Sequence, residues 1–95
     1  MMGMPGSYQG WNPSANLMTA VNTRAENHDW IVKDFTITEN TELKFAADGN
    51  WYANWGDDIF PVGIAYQNGP NIPVVPGTYT VMFNDILCYY YFMKQ

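Results

Sequence analysis

The chain has 95 residues, a single-domain length that buries roughly two-thirds of its unfolded surface and so needs no cross-links to hold a core. Its net charge of −5, with Arg24, Lys33, Lys44 and Lys94 as the only cations, leaves no basic stripe for phosphates and argues against nucleic acid or anionic membranes as partners. The one cysteine, Cys88, excludes an internal disulfide and a cysteine-based zinc site, and no window approaches the ~18 continuous apolar residues of a transmembrane helix.

In chain order, Met1–Met4 is a short strand candidate, and its sequence lacks the basic and apolar regions of a secretion signal. Ser14–Val21 is the only stretch compatible with a short turn of helix, because Gly or Pro interrupts most other windows. From Trp30 to Ile37 apolar alternation slips at Lys33-Asp34, which predicts a bulged strand. Thr41–Ala47 alternates cleanly, with Leu43, Phe45 and Ala47 on one face and Glu42, Lys44 and Ala46 on the other.

Ile59–Tyr66 is a weaker strand, and the prolines around Ile72–Val75 confine that segment to a sheet edge. Thr78–Phe83 alternates again, with Tyr79, Val81 and Phe83 facing inward. Asn84-Asp85 then predicts a two-residue turn into a final strand, Leu87–Met93. Cys88, within the apolar run Ile86–Tyr89, reads as a buried structural thiol. Six to eight short strands without crossover helices predict an all-β fold, a two-sheet antiparallel β-sandwich of the immunoglobulin-like kind, as one domain over residues 1–95.

Catalytic patterns are sparse. His28 is the only histidine and lies in the polar run Arg24–Asp29, while Ser7 and Ser14 are in no nucleophile elbow. Asp57-Asp58 is an acidic doublet, but adjacent residues of an extended segment point to opposite faces and do not form a pair across a cleft. Asp48, Asn50, Asp57 and Asp58 lack EF-hand spacing and read as polar turn residues. The chain is therefore expected to be no enzyme, with no cofactor and no metal.

Aromatic residues make up 17% of the chain and charged residues 14%, against the usual quarter or so charged. A surface of amides and rings suits a neutral, hydroxylated ligand. Trp11, Trp51 and Trp55 stand beside Gly, Asn and other turn formers, whereas Trp30 heads an apolar strand and reads as core.

Pro5–Pro13, Leu43-Lys44-Phe45, Asn54–Asp57, Gly69–Ile72 and Gly77–Val81 together resemble the C-terminal modules of SusE and SusF, starch-binding outer-membrane lipoproteins of Bacteroides-type bacteria. Ser7–Trp11, Lys44–Trp51 and Asn71-Ile72 are also similar, more distantly, to the glycogen-binding module of AMP-activated protein kinase.

These resemblances imply a carbohydrate-binding domain cut from a longer cell-surface lipoprotein, with an oligosaccharide or polysaccharide as partner and other glycan-uptake proteins as neighbours. They imply a site of Trp11, Lys44, Trp51 and Asn71, with Trp55, which has no counterpart in the second family, as an accessory contact or a loop anchor. The same fold binding another polysaccharide, and a spacer domain that docks on protein, are the alternatives.

Overall fold

A computed structural model describes residues Met1–Gln95. In chain order its strands are β1 (Met2–Gly3), β2 (Thr19–Ala20), β3 (Asp29–Ile37), β4 (Thr41–Leu43), β5 (Phe45–Ala47) and β6 (Asn54–Gly56), then β7 (Val62–Ile64), β8 (Tyr66–Gln67), β9 (Ile72–Val74), β10 (Gly77–Asn84) and β11 (Tyr89–Lys94). The longest, β3, β10 and β11, are rich in β-branched and aromatic residues.

One antiparallel sheet has the order β2-β3-β10-β11-β7. A second has the order β1-β5-β6-β8, and β4 pairs with β9. Because β4 runs into β5 through Lys44 alone, the pair β4-β9 continues the second sheet. Fifteen buried apolar residues from both layers form one core cluster. Phe45 and Phe83 join the layers, with ring centroids 4.2 Å apart and planes 3° from parallel, a contact that adds about 0.5–1.5 kcal/mol to the burial of the rings. The fold is all-β and sandwich-like.

The irregularity expected at Lys33-Asp34 is present. Val81 pairs with Val32 and Tyr79 with Phe35, so β3 carries an extra residue there, and Asp34 takes a φ of 56°. Ile72–Val74 lies at an edge, paired only with β4. More strands form than the six to eight expected, because several are only two or three residues long.

Ser14–Val21 is not helical. The Met18 N–H donates to the Met2 carbonyl, and Thr19 and Ala20 pair with Ile31 and Trp30. Sheet bonds capture this segment where an isolated helical turn would be costly to nucleate. The one helical turn is instead a 3-10 turn at Ser7–Gln9.

β10 and β11 form a hairpin, but Asp85–Cys88 connect them rather than a two-residue turn. The Asn84 Oδ1 accepts from the Ile86 and Leu87 amides at 2.9 and 2.7 Å, and Cys88 closes the loop with a φ of 65°. Cys88 is half-buried against the core rather than fully buried.

Candidate functional site

Trp11 follows the 3-10 turn in a backbone conformation that few side chains adopt, because Gly10 and Trp11 both have positive φ, 74° and 61°. Gln9 holds this path. Its Oε1 accepts from the Asn12 amide at 2.6 Å and the Gly6 amide at 3.3 Å, while its Nε2 donates to the Asn12 carbonyl at 2.7 Å and to Asn16 Oδ1 at 3.3 Å. The Trp11 amide donates to the Gly6 carbonyl at 2.9 Å. The loop then crosses the outer face of the second sheet, where the Pro13 carbonyl packs so close to Gly3 that a Cβ there has no room.

Trp51 arrives from the β5–β6 connection. The Met1 ammonium contacts Asp48 Oδ1 at 3.1 Å, and the Ser14 hydroxyl donates to the Gly49 carbonyl at 3.3 Å, which ties this loop to the Trp11 loop. Asn54 is buried and supports Trp51, its Nδ2 donating to the Trp51 carbonyl at 2.9 Å and to Asn68 Oδ1 at 3.1 Å. The two indoles meet, with ring centroids 6.3 Å apart and planes tilted by 44°. Trp51 is 41% exposed and Trp11 is half-buried.

Lys44 points outward between the inward Leu43 and Phe45, and its aliphatic stem lies over Gly56. No carboxylate forms an ion pair with it, and burial lowers its pKa from the ordinary lysine value. Lys44 and Asn71 each lie one residue beyond the last pair of the β4-β9 ladder, Leu43↔Ile72. Asn71 Nδ2 donates to Glu42 Oε1 at 3.2 Å, which leaves its second amide hydrogen and its Oδ1 available. Along this outward row Ala46 is fully buried, so the face is covered near the tryptophan loops rather than uniformly solvated as the alternation alone implied.

Trp55, the expected accessory contact, is not brought to this face. It pairs with Phe45, turns inward, and packs 5.5 Å from Phe83 against the core. Turn formers around it in the sequence hide the register that fixes its direction. Two further residues neighbour the predicted site residues, Tyr52 beside Trp51 in the chain and Glu42 bonded to Asn71. Tyr52 is 91% exposed next to Trp51, and its signal was an aromatic residue in an Asn-rich turn. Glu42 shares the outward row with Lys44, which the alternation had already indicated.

Two depressions of about 400 and 460 Å³ lie around Ser7, Asn40 and Thr41; no tryptophan lines either, and Glu42 lines the second. Asp57 is buried beneath Tyr90, whose hydroxyl donates to its Oδ2 at 2.9 Å, while Asp58 is exposed. His28 lies between Asp85 and Glu26, and Asp85 also accepts from Trp30 Nε1 at 2.9 Å. That bond, with packing on the core, makes Trp30 structural. No family model, curated protein or solved structure matches the chain.

Proposed function

We propose that the chain is a non-catalytic domain that binds an α-glucan such as starch or a maltooligosaccharide. Trp11 and Trp51 are the stacking platforms, and Lys44 and Asn71 supply hydrogen bonds. The carrying observation is the indole pair itself, 6.3 Å apart and tilted by 44°. Two rings at an angle suit a chain that curves from one sugar to the next, as an α-1,4-glucan does, better than a flat β-1,4 ribbon. The unpaired, partly desolvated ammonium of Lys44 is a donor ready for a sugar hydroxyl.

Stacking about 80 Å² of each ring at ~25 cal/mol/Å² contributes about 2 kcal/mol per ring. Two or three hydrogen bonds of about 1 kcal/mol each bring the sum to roughly 6 to 7 kcal/mol before ordering costs. The resulting dissociation constant is on the order of 0.1 to 1 mM.

An immunoglobulin-like topology is part of this reading. It is supported by the Tyr79 hydroxyl, which donates to the Val75 carbonyl at 2.7 Å in the manner of the tyrosine corner of such sandwiches. The sequence resemblance to SusE and SusF modules supports a role in glycan capture at the surface of a Gram-negative bacterium, alongside other glycan-uptake proteins. Isothermal titration with maltoheptaose and with cellohexaose tests the ligand class. Sub-millimolar binding of the first alone is expected, and equal heats or no heat with either contradicts the proposal.

A further inference from the structure

Resting on the glucan reading above, we propose that the trough beside the β3–β4 turn is a further sugar subsite, which takes the next glucosyl units of a chain held on Trp11 and Trp51. The two depressions share Ser7, Asn40 and Thr41 and so adjoin as one trough. Their volumes, about 400 and 460 Å³, fall in the roughly 300–1,000 Å³ range of small-ligand sites.

The polar groups of the trough are only partly used by the protein. Ser7 Oγ accepts from the Glu42 amide at 3.0 Å and lies 2.7 Å from the hydroxyl of buried Thr41. That mutual bond consumes one of the two hydroxyl hydrogens, and the other has no acceptor within the chain. It is offered to the trough that both residues line. Thr38 and Asn40 are exposed there with side chains that bond nothing in the protein, while Glu42 gives Oε1 to Asn71 and keeps Oε2 free. Donors and acceptors side by side match a neutral polyol, whose hydroxyls do both. Glu39 and Glu42 repel anions, and no group of three carboxylates converges to hold a metal ion. Pro73 and Val75 add an exposed apolar wall for the C–H face of a sugar ring.

Glu42 joins the trough to the proposed site, since it lines the second depression and bonds Asn71 at 3.2 Å. It also shares the outward row with Lys44 and Ala46. At about 3.3 Å per extended residue, Glu42 lies roughly 7 Å along the chain from Lys44 and roughly 13 Å from Ala46, where the tryptophan loops cover the face. Ser7 opens the 3-10 turn that leads to Trp11. The Gly6–Leu43 bridge and the Lys44 amide, which donates to the Pro5 carbonyl at 2.9 Å, hold that turn against β4. One segment therefore fixes both the wall of the trough and the first indole. A glucan that runs from the indoles past Lys44 and Asn71 enters the trough over Glu42.

The test is titration of the intact chain with maltotriose and with maltoheptaose, followed through its backbone amide and indole resonances. Maltoheptaose should bind about tenfold tighter through the added hydrogen bonds, and it should shift the Thr38–Glu42 amides, which maltotriose leaves in place. The double variant Thr38→Val, Asn40→Ala removes exposed polar groups that bond nothing within the chain, so its urea midpoint should equal that of wild type. Its maltoheptaose affinity should fall to the maltotriose value, and its maltotriose affinity should not change. Equal wild-type affinities for the two glucans, Thr38–Glu42 amides unmoved by maltoheptaose, or a preference for maltoheptaose that survives the double substitution each overturn the subsite and leave the indole site standing. Maltotriose that shifts Thr38–Glu42 in place of the indoles overturns the continuous path. Binding of neither glucan overturns the glucan reading and the subsite together.

Discussion

The indoles of Trp11 and Trp51 lie 6.3 Å apart although they come from separate loops, one entered through a 3-10 turn and the other through a hairpin. Their contact depends on groups that touch neither ring. Gln9 fixes the Trp11 loop through both ends of its amide, and Asn54 supports the Trp51 backbone from beneath.

Gln9→Ala should loosen the first of these supports. Loss of exposed loop hydrogen bonds lowers stability by only about 1 kcal/mol, measured by urea unfolding. The far-ultraviolet exciton couplet of the two indoles should shrink, and glucan affinity should drop several-fold. A couplet and an affinity equal to wild type would show that Trp11 needs no such support.

Lys44→Met separates binding from stability. The lysine is partly desolvated without a carboxylate partner, so replacing it with an apolar chain should leave the unfolding midpoint unchanged or higher. Glucan affinity should fall about tenfold with the loss of a charge-assisted hydrogen bond. A lower midpoint with unaltered affinity would assign Lys44 a structural role.

Tyr90→Phe probes the core beside β7. The Tyr90 hydroxyl donates to buried Asp57 and contacts the Ile59 carbonyl, and burial together with Asp57 raises its pKa. Removing it leaves a buried carboxylate short of a partner, at a cost of about 1–3 kcal/mol by urea unfolding. A variant as stable as wild type would mean that Asp57 finds another donor.

His28 sets a pH dependence. Its Nε2 lies 2.8 Å from Glu26 and its Nδ1 2.7 Å from Asp85, and these hydrogen bonds, Glu26 first, raise its pKa above the ordinary 6.5. A raised folded-state pKa contributes stability that is fully present below the unfolded value and is lost as pH rises through the folded one. The melting temperature should therefore decline above pH 6.5 more steeply in wild type than in His28→Gln. Parallel curves would contradict the clamp.

How much of this was legible in the sequence differs from residue to residue. The slip in apolar alternation at Lys33-Asp34 located the bulge, and the prolines around Ile72–Val74 located an edge, because both signals are local. The direction of Trp55 depends on pairing with Phe45, a partner ten positions away that the turn formers around it do not reveal. Ser14–Val21 failed as a helix for the same kind of reason, since its competing bonds come from Met2, Trp30 and Ile31. The four-residue turn after Asn84 follows from side-chain bonds that no dipeptide rule encodes. At the site, the tryptophans were visible as rings among turn residues, while Gln9 and Asn54 became visible only through their hydrogen bonds.

The most direct measurement of the central claim follows the four indole N–H resonances during titration with maltoheptaose. Trp11 and Trp51 should shift together with a dissociation constant on the order of 0.1 to 1 mM. Trp30, bonded to Asp85, and Trp55, packed on Phe83, should stay in place. Shifts confined to Trp30 or Trp55, or none at any glucan concentration, would contradict a glucan site built on Trp11 and Trp51.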